Sequence, residues 1–231
     1  MNYTKYERAL SKPRMNRFLI AAKRDEADAI RLYQLNIQLS QQLFGLIGIF
    51  EVTLRNHIDD YYKLKFNDSE WLKNQASEDG IFNHPSFISH QYRSRNHILK
   101  IIEKLKNNYH HDKLISALNF GFWIYMFAPL QFRAGGQGLH HIFIRRIKGT
   151  NRKIIFEELD HIRRLRNRIA HHEPLCFDKT NDLSITITMN NYQIILKYIN
   201  WMGYTADQLF NEFNKIHTLS ESIESIKSGK K

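Results

Sequence analysis

The chain has 231 residues, enough for one large domain or two small ones, and 34 Lys and Arg against 23 Asp and Glu give a formal net charge of +11. This excess favours a polyanionic partner, either nucleic acid or an anionic membrane. The single cysteine, Cys176, excludes an intrachain disulfide and a zinc site made of cysteines.

Neither of the usual apolar targeting signals is found in the sequence. The most apolar run, residues 120 to 130, is shorter than the roughly 20 residues that a spanning helix needs. Residues 1 to 14 lack the apolar segment of a secretory signal. Together with the lone cysteine, these features predict a cytoplasmic protein with no membrane partner.

Apolar residues recur every three or four positions along most of the chain, which predicts an all-α protein, a helical bundle with additional helices. A loop is predicted at 74 to 86 and a helix break at 133 to 138. Residues 183 to 188 alternate like a strand without a partner, so we interpret them as an extended connector. The predicted helices are 25 to 66, 88 to 107, 112 to 127, 137 to 147, 151 to just before Pro174, 190 to 202 and 205 to 224. We expect a single domain over 1 to 231, in which helices within 1 to 73 and 88 to 147 pack on helix 151 to 172 and helices within 190 to 224 close the bundle.

The helix predicted from residue 151 carries the strongest functional signal. Its apolar residues fall on one narrow stripe: Ile155, Leu159, Ile162, Leu165 and Ile169. Arg166 falls inside this stripe, whereas Arg164 and Arg168 point the other way. A buried arginine keeps its proton, so Arg166 needs a carboxylate, a set of carbonyls or a ligand phosphate.

Asn167 and His171 lie four residues apart on a helix face beside Arg166, close to the point where Pro174 stops the helix. These three side chains therefore form a candidate phosphate site. A structural role explains them as well: Arg166 extends along the core to water, and His171 and His172 lie at the helix C-terminus, where cations are favoured.

Glu51 and Arg55 are four residues apart at the margin of the apolar stripe of the first long helix. Glu51 is a candidate buried partner for Arg166 or for Arg55. An ordinary ion pair on a helix surface is the commoner explanation of this spacing.

Several other patterns give weaker signals. Histidine pairs occur at residues 110–111, 140–141 and 171–172, but no spacing typical of zinc hydrolases accompanies them, so we expect no metal. The "RAGGQG" break lacks the Lys-Ser/Thr of a phosphate-binding loop, and no cofactor is expected. The aromatic run "FGFWIYMF" fits a core or a dimer interface better than a base-stacking surface.

Residues 166 to 171, "RNRIAH", resemble the motif of HEPN-domain ribonucleases, which is an arginine, a polar residue and then a histidine, with four to six residues between the arginine and the histidine. His172 also satisfies the spacing, and so do Arg133 and His140 by chance. The chain as a whole resembles the Abi family of bacterial abortive-infection proteins, of the AbiD and AbiF type. The segments that carry this resemblance are "YERALSKPRM", "DAIRLYQLN", "FEVTLRNHI", "SALNFGFWIYMF" and "LRNRIAHHEPL".

The resemblance implies a helical bundle that dimerises, joins two copies of the motif in one composite active site and cuts RNA without a metal. It makes His171 the acid and base, with His172 as a substitute, while Arg166 holds the phosphate and Asn167 positions one or the other. Products would carry a 2′,3′-cyclic phosphate or the 3′-phosphate derived from it.

Supporting roles follow from the same resemblance. Arg164 and Arg168 are expected to contact RNA, with Glu51 and Arg55 in support. The expected partners are an RNA substrate, a second copy of the chain, and an antitoxin that is either a small RNA or a protein. Glu173 stands where some HEPN toxins carry a tyrosine modified by a nucleotidyltransferase, which argues against that subgroup.

Two further functions remain open on the sequence. One is a non-catalytic RNA-binding or RNA-regulated defence protein, in which Arg166 and His171 bind phosphate without cutting. The other is a helical interaction protein with no nucleic-acid role, which the charge of +11 disfavours.

Overall fold

A computed structural model describes residues 2–211 and 214–228 of the chain. Within these residues the protein is helical, and its only β-type pairing is one antiparallel bridge between Phe177 and Leu183. The predicted all-α class is confirmed. The α-helices are α1 Tyr3–Leu10, α2 Lys12–Ala21, α3 Glu26–Phe66, α4 Trp71–Asn74, α5 Arg93–Leu105, α6 His111–Ala117, α7 Phe120–Tyr125, α8 Pro129–Ala134, α9 Arg152–Ala170, α10 Thr186–Trp201, α11 Ala206–Phe210 and α12 Ile216–Ser228.

Helix α3 matches its predicted bounds to within one residue, and α9 begins within one residue of its predicted start but ends at Ala170, before the predicted end next to Pro174. The predicted helix at 112 to 127 is two helices, because the Asn119 side chain accepts a hydrogen bond from the Phe122 amide and starts α7 anew. The predicted helix at 137 to 147 is wrong. Only a 3₁₀ turn, Leu139–Ile142, forms there.

Other boundaries also differ from the prediction. Helix α5 begins at Arg93, after a 3₁₀ helix at Pro85–His90. The extended connector covers residues 183 to 185, and Thr186 already begins α10. The closing segment from 205 to 224 contains α11 and most of α12, and part of it, residues 212 and 213, lies outside the described residues.

The chain divides into two compact units. Unit 1 comprises Met1–Gly48, Arg164–Leu196 and Ala206–Lys231, and unit 2 comprises Ile49–Arg163 and Lys197–Thr205. The prediction of a single domain stays a prediction.

Unit 1 has an aliphatic and aromatic core. Met15 and Phe18 of α2 are fully buried, and the Phe18 ring meets Tyr33 and Phe177 edge to face, each at 5.2 Å between ring centroids. Such edge-to-face contacts add to the burial of the rings. The core therefore fixes α2 against the segment that follows α9.

Unit 2 has a larger aromatic core. Trp71 stacks on Tyr62 at 4.6 Å, and Phe143 meets Tyr198 at 4.9 Å. The aromatic run of α7 is part of this core, since Phe122, Trp123 and Ile124 of α7 are all buried. The prediction that this run packs inside the protein, instead of stacking on bases, is confirmed.

The glycine-rich break is explained by close packing on α3. Side chains added at Gly135 and Gly138 would come within 2.2 Å and 2.3 Å of the hydroxyls of Tyr62 and Tyr61. The Lys65 ammonium group also donates a hydrogen bond to the Gly135 carbonyl at 2.5 Å. The break is therefore a packing feature, as its lack of a phosphate-loop lysine suggests.

One helix of the described residues, α3, has the length and composition that crossing a membrane requires. A core helix of a soluble protein passes the same test, and Leu39, Leu43 and Phe50 of α3 are fully buried. The absence of a membrane partner stays a prediction.

Candidate active site

Helix α9 carries the candidate residues on its last turns. Its predicted apolar stripe is confirmed, since the five residues of the stripe are at most 9% exposed. Arg166 and Asn167 are half-buried, whereas Arg164 is exposed. Arg166 is therefore less exposed than Arg164, as the stripe predicts, but it is half-buried like Arg168 and lacks the full burial of the stripe.

Helix α9 ends in a Schellman turn. The amide of His172 donates to the Ile169 carbonyl at 3.0 Å, and the amide of Glu173 donates to the Arg168 carbonyl at 2.9 Å. His172 takes the left-handed conformation that this turn requires, with φ of 55°. Glycine is the usual residue at this position, because a Cβ makes the conformation cost about 1 kcal/mol or more.

Two arginines hold the backbone just after the turn. Arg14 of α2 donates from Nη1 to the His172 carbonyl at 2.9 Å. Arg168 donates from Nη2 to the Pro174 carbonyl at 2.6 Å and from Nε to the Glu173 carboxylate at 3.2 Å. The expectation that Arg168 is ordinary outward charge is wrong, because its guanidinium group closes the end of its own helix.

The chain beyond Pro174 is tied into unit 1 by buried polar side chains. The Leu175 amide donates to Oδ1 of Asn36 at 2.7 Å, and the Leu175 carbonyl accepts from the Thr188 hydroxyl at 2.7 Å. Asn36 is 3% exposed and Thr188 is fully buried. Since both backbone groups of Leu175 are satisfied without water, the turn before it has a defined position.

Arg17 adds a further cation to this region. Its guanidinium group lies over the Phe177 ring, 4.2 Å from the centroid, and its Nε is buried without a hydrogen-bond partner in the described residues. Burial raises the pKa of the neighbouring Cys176 thiol to about 12, against the opposing fields of Arg17 and Arg168. Cys176 is therefore a thiol at neutral pH and is no candidate nucleophile.

Arg166 differs from the other three arginines. Within the described part of unit 1, its guanidinium group makes no hydrogen bond or ion pair. His171 and His172 follow it with exposed side chains. Glu173 is the one carboxylate of the described part of unit 1 that bonds to these arginines, and it bonds to Arg168. The end of α9 therefore carries an excess of positive charge.

A family model described as Abi-like protein matches residues 1–176, which include Arg14, Asn36 and the candidate residues from Arg164 to His172. The chain belongs to the Abi-like protein family. No curated protein and no solved structure shows significant similarity to it. Membership supports a role in abortive infection, the defence against phage.

Three residues of this Abi-like site are missing from the sequence prediction: Arg14, Arg17 and Asn36. Arg14 lies in "YERALSKPRM" and Asn36 ends "DAIRLYQLN", two of the segments that carry the family resemblance. Through Arg14 and Asn36 these two segments bond to His172 and Leu175 of "LRNRIAHHEPL". The family resemblance pointed to these segments, but the contacts between their residues could be identified only from the fold.

Glu51 and Arg55 lie in unit 2 of the Abi-like chain. Both are half-buried, Glu51 takes part in a side-chain interaction, and Nε of Arg55 is buried without a hydrogen-bond partner among the described residues. Their support of Arg166 stays a prediction.

The other histidine pairs have different surroundings. His111 is buried in unit 2, where its Nε2 lies 2.7 Å from Oδ1 of Asp59. Asp59 also accepts from the Trp71 indole at 2.7 Å and pairs with Lys63 at 2.7 Å. Burial raises the pKa of Asp59, but hydrogen bonds from His111, Lys63 and Trp71 outweigh it and hold that pKa below its ordinary value.

His140 and His141 form the third pair, with ring centroids 4.3 Å apart. Burial, followed by the charge of Arg146, lowers the pKa of His140. The described residues contain no group of three or more His, Cys, Asp or Glu placed to hold a metal.

Proposed function

We propose that this Abi-like protein is a metal-independent RNA endonuclease of the HEPN type that acts in phage defence by abortive infection. The observation that carries the proposal is the state of Arg166. Its guanidinium group is half-buried and makes no bond within the described part of its own unit, on a helix end where the other arginines are committed to the chain. A phosphate oxygen is the partner that such a group fits best.

The chemistry needs a mobile proton and a held phosphate. His171 takes the proton of a ribose 2′-hydroxyl, and the oxygen attacks the adjacent phosphorus. The bond from phosphorus to the 5′-oxygen breaks, and that oxygen receives a proton from the protonated histidine. Arg166 stabilises the charge on the phosphate oxygens, and the products are a 2′,3′-cyclic phosphate and a 5′-hydroxyl.

The remaining candidates serve this reaction. Asn167 positions the phosphate or the histidine, and His172 replaces His171 in part. Arg164, exposed on α9, contacts the RNA backbone, and Arg168 shapes the turn.

We expect two further partners. A second copy of the chain completes a composite site, as the resemblance to HEPN ribonucleases implies. An antitoxin, either a small RNA or a protein, restrains the activity in the cell.

The test is RNA cleavage by purified protein in the presence of EDTA. We expect cleavage that survives EDTA, leaves 2′,3′-cyclic phosphate ends, and falls by about 100-fold or more in Arg166→Ala and His171→Ala. Arg133→Ala is the matched control, because the spacing of Arg133 to His140 also falls within the range of the motif and Arg133 is exposed in unit 2. Cleavage unchanged in Arg166→Ala and His171→Ala contradicts the proposal.

Non-catalytic RNA binding is the second candidate. It is favoured by one observation, that the His171 imidazole has no hydrogen-bond partner in the described part of unit 1 to orient it. Such a protein retards RNA in a salt-dependent way and leaves the strands intact.

A further inference from the structure

A loop of unit 2, residues 143–150, has an unusual surface. It is part of a stretch without acidic residues, since no Asp or Glu occurs between Asp112 and Glu157. Two of its isoleucines are among the most exposed apolar side chains of the described residues, Ile144 at 72% and Ile147 at 68%. Arg145 and Lys148 alternate with them and are exposed too.

The 143–150 loop is held in place by the core of unit 2. Phe143 is fully buried and stacks on Phe127 at 5.7 Å. The Arg145 amide donates to the Trp201 carbonyl at 3.1 Å, and Ile144 lies over Gly203, where a side chain would come within 3.1 Å of its Cδ1. The isoleucines are therefore displayed by an anchored loop.

The cations of the loop divide into two kinds. Arg146 donates to the His140 carbonyl at 3.4 Å and helps to shape the loop. The side chains of Arg145 and Lys148 make no hydrogen bond or ion pair in the described part of unit 2. Tyr204, next to Gly203, adds an aromatic ring that is 45% exposed.

We propose that the 143–150 loop docks this protein on an anionic lipid surface, with Ile144 and Ile147 entering the interfacial layer and Arg145 and Lys148 contacting acidic headgroups. The surface of a bilayer accepts apolar side chains and cations side by side, and aromatic rings such as that of Tyr204 favour the same layer. This peripheral contact needs no spanning helix. It departs from the expectation that the protein has no membrane partner and does not depend on RNA cleavage.

Two other occupants fit the loop less well. The phosphates of RNA would bind the cations of the loop, but isoleucine has no planar face on which a base can stack. A second copy of the same loop would bury the isoleucines. A two-fold contact of this kind would, however, bring Arg145 and Lys148 close to the same cations of the second copy, which repel them.

The test is cosedimentation of the full chain with vesicles. Vesicles of phosphatidylcholine alone are compared with vesicles that also contain phosphatidylglycerol. We expect binding only to the second kind, and a loss of about tenfold or more in the double variant Ile144→Ser, Ile147→Ser. The double variant Arg145→Gln, Lys148→Gln is expected to lose binding by a similar factor.

Ile88→Ser is the matched control, because Ile88 is 64% exposed elsewhere in unit 2. It is expected to bind as the unchanged protein does, and thermal melting confirms that all variants fold. The proposal is overturned if the unchanged protein does not bind the acidic vesicles. It is also overturned if the double variant Ile144→Ser, Ile147→Ser binds them as well as the unchanged protein does. If vesicles are not bound, and retardation of RNA is lost only in the double variant Arg145→Gln, Lys148→Gln, the loop is assigned to RNA instead. Self-association that ends in the isoleucine variant, again without vesicle binding, assigns it to a second copy.

Discussion

Two histidine clusters of this protein use the same residue types in opposite ways. His111 in unit 2 is buried against Asp59, and Lys63 and Trp71 bind the same carboxylate. At the end of α9 in unit 1, His171 and His172 are exposed. The first cluster is closed by its own chain, whereas the second is open to solvent.

The two clusters also differ in how their charged side chains are paired. In unit 2 the Asp59 carboxylate pairs with Lys63 and also bonds to His111 and Trp71. In the described part of unit 1, Glu173 at the end of α9 pairs with Arg168, and Arg166 has no partner there. A cluster with an uncommitted cation and exposed imidazoles is suited to a ligand, and a buried cluster in which one carboxylate bonds three side chains is suited to holding the fold.

The largest expected effect on stability is at Asp59. Asp59→Ala leaves His111 and Lys63 without their carboxylate, so the free energy of unfolding should fall by about 3 kcal/mol or more. Chemical denaturation measures this loss. Asp60→Ala, at an exposed neighbouring position, should change stability by less than about 0.5 kcal/mol. Equal effects of the two substitutions contradict a structural role for the buried cluster.

The next effect is at Asn36, which fixes the chain after α9. Asn36→Ala leaves the buried Leu175 amide without an acceptor and should lower the free energy of unfolding by about 1–3 kcal/mol. Gln38→Ala, at an exposed position on the same helix, is the control. A neutral Asn36→Ala would show that the turn at His172 is held without this bond.

Acid should weaken unit 2 through the same carboxylate. Because the pKa of Asp59 is lowered in the folded protein, its contribution is present above the ordinary carboxyl pKa, and it is lost as the pH falls through that value and below. Denaturation at a series of pH values should show a shallower acid loss in Asp59→Asn than in the unchanged protein. Identical slopes would mean that other carboxylates dominate the acid response.

The smallest effect is at His172, whose left-handed backbone suits glycine. His172→Gly should raise the free energy of unfolding by about 0.5–1 kcal/mol. If His172 serves only the turn, RNA cleavage is unchanged, and if it shares the proton transfer, cleavage falls although stability rises. A loss of stability would mean that the imidazole contributes to the fold.

The sequence predicted the regular parts of this protein well. The apolar stripe of α9 depends only on a period of 3.6 residues, so its five buried positions and the inward turn of Arg166 relative to Arg164 could be placed without a fold. The family resemblance likewise pointed to "LRNRIAHHEPL", and the family match over residues 1–176 includes this segment.

What the sequence could not provide was contacts between distant segments. Arg14 meets the His172 carbonyl, and Asn36 meets the Leu175 amide 139 residues away, through bonds that no periodicity encodes. Arg168 points outward on a helical wheel, but the turn at His172 brings the Pro174 carbonyl back to it. The difference between His111 and His171 is also invisible in the sequence, because both belong to adjacent pairs.

The most direct test compares His171→Ala with His111→Ala in one experiment, with RNA cleavage in EDTA and thermal melting measured on both. We predict that His171→Ala cuts RNA about 100-fold or more slowly with an unchanged melting temperature. His111→Ala should melt several degrees lower and, assayed below that temperature, should cut at nearly the rate of the unchanged protein. A His171→Ala variant that folds and cuts at the full rate would contradict the assignment of the active site to the end of α9.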